Sequence, residues 1–520
     1  MGKSVRTTLL LAIVLQILPY FAQQNMSLLN HFYRDRYFLH SSSENAIGNA
    51  VFPMVESTYD ISKKIADSSL QYYDATEVLF KKHLLEFKGD DYYITISPVF
   101  DFSMGKDLQD TNNRRLFQNT RGIFIEADLM KNFSFSTAIY ENQARFSAYE
   151  SVYYSSIGEL YPNQSSGQYG TQNAVVPGSA RTKPFKNDGF DYAYAQGNLV
   201  YSPHKNVQLI AGNTTHFFGN GYRSMLLSDN SVGAPFFRVD WSITPKLKFV
   251  YLRQRLLNLM RKPVSSTVES YYEAKGLSVN YLSYQPLKNL SISLFESAVW
   301  SRGDSLTSHF SSPLLFNPIP FVAPLAMSKQ KLLSVLGINF GYTFAEKHVV
   351  YGQFAVTNLN FKRYAHQLGY RVHNLFNLKD FVLQVEWNGA SAGMYESPNK
   401  RLNYVHYNLP IAHPKGNNFQ EILLRLNYEI KRIYIDWSVD YFALRNYHEN
   451  QLLPVDRALS PYSVNLLVQQ LELGYRFNKK MNFSTFVALS SRSKDQLIDR
   501  KTMLLQFGLK TAINNHNTQF

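Results

Sequence analysis

The chain has 520 residues, no cysteine, 36 tyrosines, 37 phenylalanines, only 18% charged residues and a formal charge of +14. Without cysteine there can be neither a disulfide scaffold nor a lipid-bearing cysteine behind a leader. The basic excess comes with no basic helix, zinc pattern or RNA-binding signature, so nucleic acid is set aside as a partner and lipid headgroups or an anionic polymer are favoured.

The first residues read as a secretory leader. Lys3 and Arg6 precede a short apolar run, Leu9 to Phe21, with a plausible cleavage point at Ala22-Gln23. That run is shorter than the ~20 residues of a membrane helix. Removing those two cations leaves +12 on a chain starting near residue 23. Residues 23–90 are expected to form a periplasmic helical segment beneath or inside a β-rich remainder. Asp74 to Glu77 has capping-box spacing ahead of VLFKKHLLEFK, and Gly89 stands where that helix would end.

From Asp91 the chain breaks into segments of roughly ten to thirteen residues that alternate with period two, as tilted membrane strands do. In Arg432 to Tyr441, Ile433, Ile435, Trp437, Val439 and Tyr441 share one face, while Tyr434, Asp436, Ser438 and Asp440 share the other. Phe133, Phe135, Thr137 and Ile139 stand likewise opposite Ser134, Ser136, Ala138 and Tyr140. So do Leu471, Leu473, Tyr475 and Phe477 opposite Glu472, Gly474 and Arg476.

Eight joins are tight, and nearly all carry a lysine. They are Met130-Lys131-Asn132, Ser202 to Asn206, Thr244 to Lys246, Gln285 to Asn289, Ala345 to His348, Asn377 to Asp380, Lys431-Arg432 and Asn478 to Met481. Long polar connections lie between them: Phe146 to Gly189, Phe217 to Pro235, Trp300 to Lys331, Gly389 to Asn417 and Arg445 to Asn465. One join, near Lys362-Arg363, is shorter than this rhythm expects. The rhythm predicts an all-β fold, a transmembrane antiparallel barrel of about eighteen strands over residues 91–520. Thr502 to Ala512 would be the last strand, with Leu505, Phe507 and Leu509 outward. Trp300, Trp387, Trp437 and many tyrosines are expected in interfacial girdles. Tyr395, Tyr404 and Tyr407 stand apart because they fall in a loop.

The most unusual stretch is Gly212 to Trp241. Gly219 and Gly221, either side of Asn220, suggest positive φ and a sharp reversal. Ser228, Asp229 and Asn230 are turn-making residues. Met225-Leu226-Leu227 is too apolar to project into water, so the loop is expected to fold into the lumen and narrow it. Arg223 and Arg238 would meet wall carboxylates. Gly219, Gly221, Tyr222, Arg223, Ser228, Asp229, Asn230 and Arg238 form the candidate loop or lumen site.

Catalytic chemistry is thin. The 13 histidines show no HExxH pair or clustered ligand spacing, and no Gly-x-Ser-x-Gly elbow occurs. His309 and Ser311 share a loop without a convincing third partner. No metal site, cofactor or enzymatic activity is expected.

Phe218 to Asn230 followed by Pro235 to Arg238 resembles the signature of the Wzi-type capsule-assembly barrels. That resemblance implies eighteen strands, a small periplasmic helical part and capsular polysaccharide held at the surface. The chain also resembles the RemB-type gliding-motility outer-membrane proteins of gliding bacteria, over nearly its whole mature length. The similarity lies in Gly89 to Phe102, Leu116 to Gly122, Tyr140 to Phe146, Val175 to Tyr194 and Ser297 to Asp304. It implies a role in surface assembly or adhesion by docking a polysaccharide or surface protein. A capsule lectin and a diffusion channel are the other two readings.

Overall fold

The computed structural model describes residues 26–44, 50–55, 75–112, 114–130, 132–162, 168–179, 181–260, 272–301, 318–320, 322–326, 331–448, 451–455, 461–495 and 501–511. The leader and the His309/Ser311 loop lie outside them.

Eighteen antiparallel strands close into a barrel. The first six are β1 Tyr92–Asp107, β2 Arg115–Leu129, β3 Phe133–Arg145, β4 Gly189–His204, β5 Val207–Thr214 and β6 Ala234–Thr244. Next come β7 Leu247–Asn258, β8 Glu273–Leu287, β9 Leu290–Ser301, β10 Leu332–Phe344, β11 His348–Thr357 and β12 Asn360–His373. The last six are β13 Phe381–Ala390, β14 Phe419–Ile430, β15 Ile433–Tyr447, β16 Tyr462–Asn478, β17 Phe483–Lys494 and β18 Thr502–Thr511. β18 closes on β1 in the register Leu509↔Phe102, which leaves no open edge.

Parity along each strand decides which side chain meets which surroundings. On β15, Ile433 and Tyr441 are exposed, while Tyr434, Ser438 and Asp440 are buried inside. Leu505, Phe507 and Leu509 on β18 are exposed, and so is Ile139 on β3. All eight tight joins occur where the sequence puts them, at one end of the barrel. The long connections gather at the other end. Ala345 and Glu346 both take positive φ (47° and 57°) in the three-residue loop between the paired Phe344 and His348.

Three local expectations are corrected. The short join at the long-loop end is Asn358-Leu359, both at positive φ, and Lys362-Arg363 already lies in β12. The helix expected to run up to Gly89 spans only Ala75–Phe80, and Leu85–Lys88 forms a strand paired with Tyr93 to Ile96 of β1. Phe87 follows the strand period and pairs with Ile94, so the helical spacing there was coincidental. Trp387 is exposed as a girdle residue would be, but Trp300 is covered, packed with Ala298 and Leu332 across from Gly276. Gly276 leaves the space that the indole fills: a Cβ there would run into its ring.

The helix that matters is α1, His31–Glu44, and it lies in the lumen. Tyr33, Arg34, Asp35, Arg36, Tyr37, Phe38 and Leu39 are all buried. Arg36 binds Asp380 at 2.6 Å and Glu429 at 2.8 Å, near the short turns. Arg371 of β12 lies over the Phe38 ring at 3.8 Å.

Candidate functional site

The connection from Thr214 to Ala234 turns into the barrel and is held there by backbone first. Phe217–Phe218 pairs with Val51–Phe52, the Gly219 N–H donates to the Ala50 carbonyl at 2.7 Å, and the Phe218 N–H donates to Leu227 at 2.9 Å. The reversal requires Gly219, which sits at φ +148°, where a Cβ would also run into the Gln353 amide. Gly221 is not at positive φ, contrary to expectation. It is small for a different reason, since a Cβ would come 2.7 Å from the Gln367 amide and from Glu386. Met225, Leu226 and Leu227 are buried in the main core, and Ser224 and Gln353 hold their backbone.

The polar residues of this loop meet charged groups on the wall. Glu386 of β13 accepts from the backbone N–H groups of Tyr222 (2.5 Å) and Arg223 (3.2 Å), and from the Tyr351 hydroxyl (2.7 Å). The Arg223 guanidinium reaches Glu421 of β14 and Asp440 of β15, each at 3.3 Å. Burial alone would lower the Arg223 pKa, but Glu421 and Asp440 outweigh it and the net shift is upward. The other Glu421 oxygen meets His413 Nε2 at 2.9 Å. Burial pulls His413 below its ordinary value despite Glu421. Losing one member of such a buried set leaves the others uncompensated, which is why it fixes the loop in one position.

Ser228 donates to Ala412, and the Asn230 amide donates to Pro410 at 2.9 Å. Both acceptors belong to the connection 391–418, which also folds inward, so the two loops interlock. Tyr395 donates to Met225 at 2.7 Å and stacks on Tyr404 at 5.7 Å, both fully buried. These two tyrosines are therefore core of the plug and not an accessible stacking platform. Tyr407 is partly buried and its backbone N–H donates to Leu257. Asp229 is half-buried.

Arg238 belongs to a separate cluster. On β6, it binds both Asp240 oxygens at 2.6 Å and donates to the Pro53 carbonyl at 2.8 Å, with Lys248 3.7 Å from Asp240. It pins the segment Ala50 to Val55, and Arg223 pins the loop.

The helical segment expected within residues 23–90 is present, but sequence reasoning placed its helix after Asp74 and missed the position of α1. Arg34 donates to the Gly221 carbonyl and lies over Phe217 at 3.7 Å, and His31 stacks on Tyr222 at 4.2 Å. Burial first, then Arg425 and its neighbours, hold His31 in the neutral form that suits stacking. Asp35 and Asp436 share Arg425 at 2.7 Å each. The usable signal was on the wall: Glu386, Glu421, Arg425 and Asp436 are charges at inward positions of alternating strands, and each needs a partner.

Beside α1 a cavity of about 370 Å³ remains, lined by His31, Tyr222, Arg425 and Asp436 on one side and by residues of β1–β3 and β16–β18 on the other. Among the described residues no cluster of His, Cys, Asp and Glu fits a metal ion.

Neither a protein-family model nor a curated protein matches the sequence. Among solved structures the chain is similar to Wzi of Escherichia coli, an outer-membrane protein involved in group 1 capsule assembly and described as a carbohydrate-binding β-barrel. The TM-score is 0.55 at 10% identity, covering 93% of this chain and 99% of that one. A BenF-like porin from Pseudomonas fluorescens Pf-5 aligns with TM-score 0.44 at 9% identity, over 81% of this chain and 99% of that one. At such identity the likeness to Wzi is one of fold: a closed eighteen-stranded antiparallel barrel with an N-terminal helix.

Proposed function

We propose that the chain is a non-enzymatic outer-membrane barrel that docks a polysaccharide or a surface protein, and that it is not an open pore. The observation that carries this reading is the occupied lumen, where α1, the loop 215–233 and the connection 391–418 lock to one another and to wall carboxylates. An outward belt containing Trp387, Ile422, Val487 and Phe507 is exposed, an apolar surface that lipid would cover. In this reading the lysine-bearing turns and both chain ends face the periplasm, and the long loops face outward. Residues 1–22 are the export leader. The inward-folded set Gly219, Gly221, Tyr222, Arg223, Ser228, Asp229 and Asn230, with Arg238, serves as the rigid base on which the outward loops are displayed. The resemblance to RemB-type and Wzi-type proteins supports a role in surface assembly, in adhesion accompanying motility or in capsule attachment.

The cavity beside α1 favours a second reading, a narrow solute channel. Deleting the gene and scoring capsule retention, surface spreading and small-solute uptake together tests both. Docking predicts loss of retention or spreading with uptake unchanged. Slowed uptake with an unaltered surface would favour the channel.

A further inference from the structure

The connection between β3 and β4 opens with α2, Ala148–Ser156, whose N-terminus is fixed by Glu150: its carboxylate accepts from the Ser147 N–H and hydroxyl, at 2.9 and 2.6 Å. This helix is a partition. Tyr149, Glu150 and Tyr154 line the lumenal cavity on one side. Ser151 and Ser155, one turn apart, line a second cleft of about 400 Å³ at the long-loop end. That volume lies in the roughly 300–1,000 Å³ range of small-molecule sites.

We propose that this outer cleft binds an uncharged sugar residue of a surface glycan. The inference rests on the docking reading and gives it a site and a ligand class. Three observations carry it. First, the polar lining is hydroxyl and carboxamide: Ser151, Ser155, Thr171, Gln172 and Asn187 offer the mixed donors and acceptors that ring hydroxyls require. Second, Phe146 and Phe190, 5.6 Å apart, add apolar surface for the C–H face of a sugar. Third, both charged residues of the cleft are already paired. Arg114 binds Asp110 at 2.9 Å, and Asp188 binds Arg145 at 2.7 Å. A phosphate or carboxylate entering here would meet a guanidinium whose charge Asp110 already balances and would lie beside the Asp188 carboxylate, whereas a neutral hydroxyl would meet no like charge. The net positive charge of the chain is thus not focused on this cleft, and the anionic polymer expected from composition is the wrong ligand for it.

The cleft is also built before any ligand arrives. Asn173 donates to Glu159 at 2.9 Å, and the Tyr272 hydroxyl bonds the other oxygen of the fully buried Glu159 at 2.8 Å. These contacts tie one wall to the neighbouring β7–β8 connection, so little ordering entropy is lost on binding.

The test is calorimetric titration of the full-length protein in detergent with maltotetraose, mannotetraose, chitotetraose and tetragalacturonate, at low and high salt. At least one neutral tetrasaccharide should bind with salt-independent affinity. Asn187→Ala should weaken it about tenfold, the loss of one well-placed hydrogen bond. Ser155→Trp, which fills the cleft from an exposed helix position, should abolish it. Both variants should retain the heat-modifiable gel mobility of a closed barrel. Binding of tetragalacturonate alone, or neutral binding unchanged in both variants, overturns the cleft while leaving the docking reading in place. Binding of no sugar also overturns it, and docking then stands or falls on the deletion phenotype.

Discussion

Strand β15 and helix α1 share a partner, Arg425, which binds Asp436 of the strand and Asp35 of the helix at 2.7 Å each. The two elements are nevertheless specified in different ways. β15 obeys a period: alternate residues face outward or into the lumen, and the barrel wall results from repeating that rule eighteen times. In α1 the run from Tyr33 to Leu39 is buried without a break, so it has no apolar stripe and no helical period in hydrophobicity. Its place is set by particular partners on the strands around it. The wall is held by its strand ladder, α1 by buried charge.

The comparison can be broken first at its junction. Arg425→Met should strand Asp35 and Asp436 and cost about 3–5 kcal/mol of plug attachment. It should appear as protease access to residues 26–44 while the barrel remains heat-modifiable. Simultaneous loss of wall and plug would mean that they are not separable.

On the wall alone, Val439→Arg places a charge on the lipid face and should cost about 2–4 kcal/mol of insertion near the midplane. Ser438→Arg points into the cavity beside α1 and should fold into vesicles almost normally. Equal damage from both would undo the strand register.

Acid should act on the plug. Burial holds His406, in the connection 391–418, down to about 3, against an ordinary value of 6.5. A depressed folded value means that stability is complete above pH 6.5 and is lost as pH falls toward 3. At pH 5 the cost is about 2 kcal/mol from this residue. His31 and His413, also lowered by burial, act in the same direction. Protease access to the inward loops should rise between pH 6.5 and 5, and His406→Gln should flatten the curve. A plug that tightens in acid would contradict the assignment.

The smallest effect belongs to a turn. Ala345→Asn with Glu346→Gly suits the positive φ of both positions and should stabilise the wall by about 1 kcal/mol in denaturant unfolding.

The same contrast explains what the sequence disclosed. The eight tight turns, the strand number and the faces of β3, β15 and β18 were legible because period two survives any loop length. The inward fold of Gly219 to Asn230 was legible from Gly219 and the apolar triplet Met225-Leu226-Leu227, although Gly221 serves close packing and not the reversal. A helical segment near the N-terminus was legible too, but the place of α1 within it was not, because residues such as Arg34 and Asp35 look solvated until a barrel closes around them. Nor was the burial of Tyr395 and Tyr404, which depends on Met225 arriving from a distant loop.

The central claim, that inward-folded segments close the lumen, is tested most directly by single-channel conductance in planar bilayers. Wild type should conduct poorly, and deletion of Gly219 to Asn230 should raise conductance sharply while the barrel stays heat-resistant. A large wild-type conductance, unchanged by the deletion, would contradict the account.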